Sequence, residues 1–60
     1  MTERLKERRR ALGLSQIDLA RKIGVSLMTI QLWERGVGNP NKGNQEKLER
    51  TLKELEKGRG

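Results

Sequence analysis

The side chains that could do chemistry in this sequence are amides, hydroxyls, carboxylates and cations, because its 60 residues include no histidine, cysteine or tyrosine. That set lacks the commonest general bases, the thiol nucleophile and the usual transition-metal ligands. The eight Asp and Glu residues are scattered among fourteen Lys and Arg. An enzyme is therefore not expected, and neither is a metal, a cofactor or a small-molecule substrate. What such a set does well is bind: cations, hydroxyls and amides hold phosphate oxygens, while amides and apolar groups read base edges. A net charge of +6 points the same way, to a polyanionic partner.

Nucleotide-binding motifs do not survive inspection. Gly36, Val37 and Gly38 begin like a dinucleotide fingerprint, but the third glycine is missing and the segment follows a helical pattern, not a strand. Gly38 to Gly43 has the spacing of the first part of a phosphate-binding loop, yet Asn44 and Gln45 stand where Lys and Ser or Thr are needed. Arg8, Arg9 and Arg10 are adjacent in sequence, but on a helix they point in different directions and read as a mostly solvated face.

The elements that must position these groups are short. A chain of this length is one small domain or a fragment, and buries only about 60% of the surface its unfolded form exposes. With no disulfide or zinc site to staple it, the core must be simple and helical, or shared with a partner. No apolar run approaches the roughly 20 residues of a membrane span, and the basic start leads into no signal-peptide core. A cytoplasmic protein with no membrane partner is expected.

Helix signals divide the chain into four. Residues 3 to 12 hold Leu5 and Leu12 at heptad spacing among good helix formers, and Gly13 is placed to end this first helix. Ser15 and Asp18 form a capping-box-like pair before the apolar run Ile17, Leu19, Ala20 and Ile23, which predicts a second helix from about Gln16 to Ile23. Gly24 ends it, Val25 follows, and Ser26 caps a third helix that contains Ile30 and Trp33. The stretch from Val37 to Asn44 is dense in turn formers and reads as a loop. Asn44 then caps a last helix, Gln45 to about Lys57, with Leu48, Leu52 and Leu55 along one face. Residues 58–60 are expected to fray.

The second and third helices, joined by the turn Gly24, Val25, Ser26, form a helix-turn-helix spanning about residues 16–35 of a single domain, 1–60. Gly24 allows the tight reversal, Ala20 lets the helices cross closely, and Leu19, Val25, Ile30 and Trp33 fill the wedge. At about 100° per residue, Thr29, Ile30 and Trp33 share one arc of the third helix. Leu27, Gln31, Met28 and Leu32 occupy the other, outward arc. Three apolar side chains there cannot make the bidentate hydrogen bonds that read guanine or adenine, but they can pack on thymine methyls, and Gln31 can address adenine. Phosphate contacts are expected from residues flanking this helix: Gln16, Ser26, Arg35, Asn39, Asn41 and Lys42.

The string GLSQIDLARKIGVSLMTIQLWERGVGNP, Gly13 to Pro40, resembles the DNA-binding domain of the lambda repressor and Cro-like family, also called the XRE family. Ser15, Gln16, Leu19, Ala20, Gly24, Val25, Ser26, Thr29, Ile30, Trp33, Glu34, Gly36 and Pro40 carry the likeness. It implies an all-α fold of four helices, or a five-helix domain cut short. It implies a transcriptional regulator, most naturally a repressor occupying an operator. By the same resemblance Leu27, Met28 and Leu32 stand at the positions that commonly reach base edges, where relatives usually carry polar residues. Gln16 and Ser26 are then the foremost phosphate contacts, and Arg9 pairs with Glu34 to tie the first helix to the end of the third. A homodimer on a palindromic duplex is implied by analogy. The competing reading keeps the fold but makes it an antitoxin-like or adaptor module, with the apolar face of the third helix, or the last helix, binding a protein.

Overall fold

A computed structural model of the chain describes residues 2–58, with side chains from Arg4 onward, and shows α1 (Thr2–Ala11), α2 (Gln16–Ile23), α3 (Leu27–Arg35) and α4 (Lys42–Gly58). There is no strand among the described residues. Each boundary has a local cause. Ser15 opens α2 with a full capping box: its hydroxyl accepts from the Asp18 amide at 3.1 Å, and the Asp18 carboxylate accepts from the Ser15 amide at 3.1 Å. Two otherwise orphaned donors are thereby satisfied. Hydrogen bonds from the Ser15 backbone and side chain also hold the Asp18 carboxyl below its ordinary range.

At the other end of α2, Gly24 sits at φ 86° and its amide donates to the Ala20 carbonyl at 2.8 Å. A side chain at that φ would be strained, although nothing crowds the position. The chain therefore reverses within three residues and α3 leaves across α2.

The core draws on all four helices: Leu5 from α1, Leu19, Ala20 and Ile23 from α2, Ile30 and Trp33 from α3, Leu48 and Leu52 from α4. Leu12, Leu14 and Val25 pack against it from the connections. Ile17, expected in the apolar run of the second helix, is instead 45% exposed. The buried stripe of α2 is Leu19, Ala20 and Ile23, and Ile17 falls on the flank beside it.

The last helix begins a turn earlier than its sequence suggested. Asn41, not Asn44, is the cap: its Oδ1 accepts from the Asn44 amide at 2.8 Å, and its carbonyl accepts from the Gln45 amide at 2.8 Å. Gly43 inside a helix costs only about 1 kcal/mol relative to alanine, an amount a good cap offsets. Asn41 and Lys42 therefore belong to the start of α4, not to a free loop, and the connection shrinks to residues 36–41. The helix also continues through Gly58, so that residue is not part of a frayed tail. Arg59 and Gly60, assigned to the same tail, lie outside the described residues.

Arg8 adds a tie that the sequence did not announce. Its guanidinium contacts Glu49 at 2.8 Å and Glu56 at 2.8 Å, bracing α1 against α4. Hydrogen bonds to Glu56 and Glu49 raise its pKa further, and the same contact lowers that of Glu56. All three side chains remain partly solvated, so water screens both pairs and the tie is weak.

Packing of α4 is thus mainly apolar, and Leu52, 1% exposed, is its centre. Leu52→Ala is expected to destabilise the fold by about 2–5 kcal/mol. The measurement is urea unfolding followed by fluorescence of Trp33, the sole tryptophan. An unchanged midpoint would show that α4 is dispensable to the core.

Candidate nucleic-acid interface

Helix α3 is fixed at both ends. Ser26 caps its start, with Oγ accepting from the Thr29 amide at 3.2 Å and lying 2.8 Å from the Thr29 hydroxyl. Gly36, at φ 76°, closes it by turning its amide onto the carbonyls of Leu32 and Trp33. Ile30 and Trp33 are buried and Thr29 is half-buried. The opposite arc is open: Gln31 is exposed, and Leu27, Met28 and Leu32 are 38%, 67% and 37% exposed. Three large apolar groups on one side of a short helix, in a chain with so few, make a concentrated surface.

The lower end of α3 is held by charge. Arg9, only 8% exposed, donates from Nε to Glu34 Oε2 at 2.6 Å and from a terminal nitrogen to Glu34 Oε1 at 3.1 Å. Its remaining terminal nitrogen donates to the Leu14 carbonyl at 2.8 Å. The Glu34 side chain is 3% exposed and takes a third hydrogen bond, from Gln16 Nε2 at 3.0 Å. Helices α1, α2 and α3 therefore meet at one carboxylate. Burial, the largest influence, pushes the Glu34 carboxyl upward, but the hydrogen bonds from Arg9 and Gln16 and the nearby Arg9 and Lys6 charges outweigh it and hold it below its ordinary value.

Of the residues expected at phosphates, the structure engages three in internal bonds. The Gln16 side chain is turned to Glu34 and also accepts from Gln31 Nε2 at 3.4 Å. Ser26 Oγ caps α3, and Asn41 Oδ1 caps α4. Arg35, Asn39 and Lys42 are exposed and make no side-chain hydrogen bond or ion pair among the described residues. The Gln16–Glu34 bond is the feature that residue-by-residue reading missed. The available signal was a glutamine at the first turn of α2, beside a glutamate whose charge needed more than one donor.

A helix-turn-helix family model matches residues 5–59. The chain belongs to this family of lambda repressor-like, or XRE-like, helix-turn-helix domains. The family is one of DNA-binding transcription regulators, and the four-helix fold agrees with it. No solved structure matches the chain. No helix among the described residues is long and apolar enough to cross a membrane.

The buried pair makes a test of anchoring. Arg9→Met leaves Glu34 without its countercharge and is expected to cost about 3–5 kcal/mol, read by urea unfolding at pH 7. Because the native carboxyl lies below the ordinary value of 4.5, the unfolded chain binds more protons in the interval between the two. Stability from this pair is thus complete above that value and is lost as the pH falls through the depressed native one. Unfolding midpoints from pH 7 to 3 should fall more steeply for wild type than for Arg9→Met, and parallel curves would remove the pair as the acid-sensitive element.

Proposed function

We propose that this protein is a sequence-specific double-stranded DNA-binding repressor that acts by occupying its operator, with α3 seated in the major groove. The observation that carries this reading is the open arc of α3. Its Leu27, Met28, Gln31 and Leu32 project from a helix pinned at both ends. A rigid helix is what a groove about 12 Å wide admits. Leu27, Met28 and Leu32 pack on thymine methyl groups, and Gln31 supplies the polar contact. Arg35, Asn39 and Lys42 neutralise or bond the flanking phosphates. Asn41 offers its amide nitrogen, and Gln16 and Ser26 contribute from the starts of α2 and α3, where free backbone amides favour an anion. A homodimer places two such helices on a palindrome with half-sites about 34 Å apart. Repression follows from exclusion of other proteins at the site.

The same exposed leucines and methionine favour one rival, an adaptor that docks a protein on α3. Salt separates the two. DNA affinity should fall linearly on a double-logarithmic salt plot with a slope of about −0.9 per phosphate neutralised, whereas an apolar protein contact should hardly respond. Replacing thymine by uracil deletes only the methyl group. In a duplex recovered by selection from a randomised pool, that exchange should weaken wild type about three- to tenfold and weaken Met28→Ala less, since one buried methyl is worth about 0.8 kcal/mol and Leu27 and Leu32 keep theirs. Equal binding of both duplexes by wild type would remove the methyl groups as the element read.

A further inference from the structure

We infer that the outward face of α3 binds duplex DNA methylated at cytosine C5, the methyl group there strengthening the complex by the same factor as the methyl group of thymine. The inference deepens the DNA-binding reading above and rests on it.

What defines this face is the polar groups it lacks. Met28 is 67% exposed, and Leu27 and Leu32 share its arc at 38% and 37%. The leucines have no hydrogen-bonding side-chain atom, and the thioether of Met28 is only a weak acceptor. The hydroxyls of the first turn, Ser26 and Thr29, are occupied with each other 2.8 Å apart. Gln31 carries two N–H donors beside a carbonyl acceptor. One N–H reaches Gln16 Oε1 at 3.4 Å, and the other polar groups of the amide have no partner among the described residues. That side chain therefore meets a base donor or a base acceptor and excludes neither. Arg35, which only donates, stands about two turns beyond Met28 at the last residue of α3, whereas the first turns of such a helix meet base edges. No exposed side chain among residues 27–32 is thus a dedicated donor or acceptor.

Thymine and cytosine differ in the major groove at two ring positions. At C4 thymine presents an accepting oxygen and cytosine a donating amino group, and at C5 only thymine has a methyl group. A face built from dedicated donors or acceptors separates the two bases at C4. This one responds at C5. A methyl group on cytosine C5 projects into the groove from the same ring position as that of thymine, so it offers Met28 and the leucines the same contact. Burial of one methyl group corresponds to about fourfold in affinity. The recognised chemistry is a C5-methylated pyrimidine, and the test separates its two sources.

Wild type first selects sites from a randomised duplex pool of the four ordinary bases, and the positions at which uracil in place of thymine weakens binding are marked. At each marked position two pairs of duplexes are titrated at low ionic strength: thymine or uracil opposite adenine, and 5-methylcytosine or cytosine opposite guanine. Within each pair the purine is constant and the methyl group alone differs. 5-Methylcytosine should bind about fourfold more tightly than cytosine, the factor that also separates thymine from uracil. Met28→Ala, shown by urea unfolding to fold, should lower both factors together. Equal affinity for 5-methylcytosine and cytosine where thymine and uracil differ overturns the inference. Loss of binding to both cytosine duplexes does the same, and so does a Met28→Ala effect on one factor alone. An equal gain from methylated cytosines outside the marked positions traces the effect to the duplex itself and also overturns it. In each of these cases DNA binding stands. Equal binding of thymine and uracil at every position removes the methyl contact and this inference with it, and absence of binding to any duplex overturns the proposed function first.

Discussion

One buried carboxylate sets the arrangement of the first three helices. A charge at 3% exposure is costly unless countercharge and hydrogen bonds surround it. Glu34 gathers Arg9 from α1 and Gln16 from α2, so a helix displaced by a few ångströms would leave a charge or a donor unsatisfied. Apolar packing alone is less exacting, since leucines and isoleucines tolerate some sliding. In a domain of 60 residues with a small core, this directional contact specifies where α3 ends. Ser26 and Gly24 specify where it begins. The outward arc is thus fixed by groups on its inner side.

Much of this architecture is legible in the sequence. The Ser15–Asp18 pair, Gly24 and Ser26 are local signals, and local signals place α2 and α3 within a residue, because capping chemistry acts over only three or four positions. The two arcs of α3 follow from helical angle alone, which sorts Ile30 and Trp33 inward and Met28 outward. The start of α4 was not legible. Asn41, Gly43 and Asn44 are all turn formers, and choosing which asparagine caps depends on the chain direction imposed by Pro40 and by the docking of Leu48 and Leu52. Ile17 illustrates a different failure: an apolar residue next to a buried stripe need not join it. Contacts across the fold were hidden for a third reason. Arg8 meets Glu49 and Glu56 only because the fold brings α4 within reach of its long side chain, and no spacing in α1 encodes its partners.

Basic character and specificity are carried by different residues. Sequence-independent attraction needs only net positive charge near a duplex, and the chain carries +6. Discrimination needs groups held still. On α3 the apolar residues are held by the helix itself, with little freedom beyond their rotamers, and apolar groups can distinguish only the presence or absence of a methyl group. Gln31 is the one side chain on that arc able to address hydrogen-bonding pattern, and it is also the one tied back into the protein.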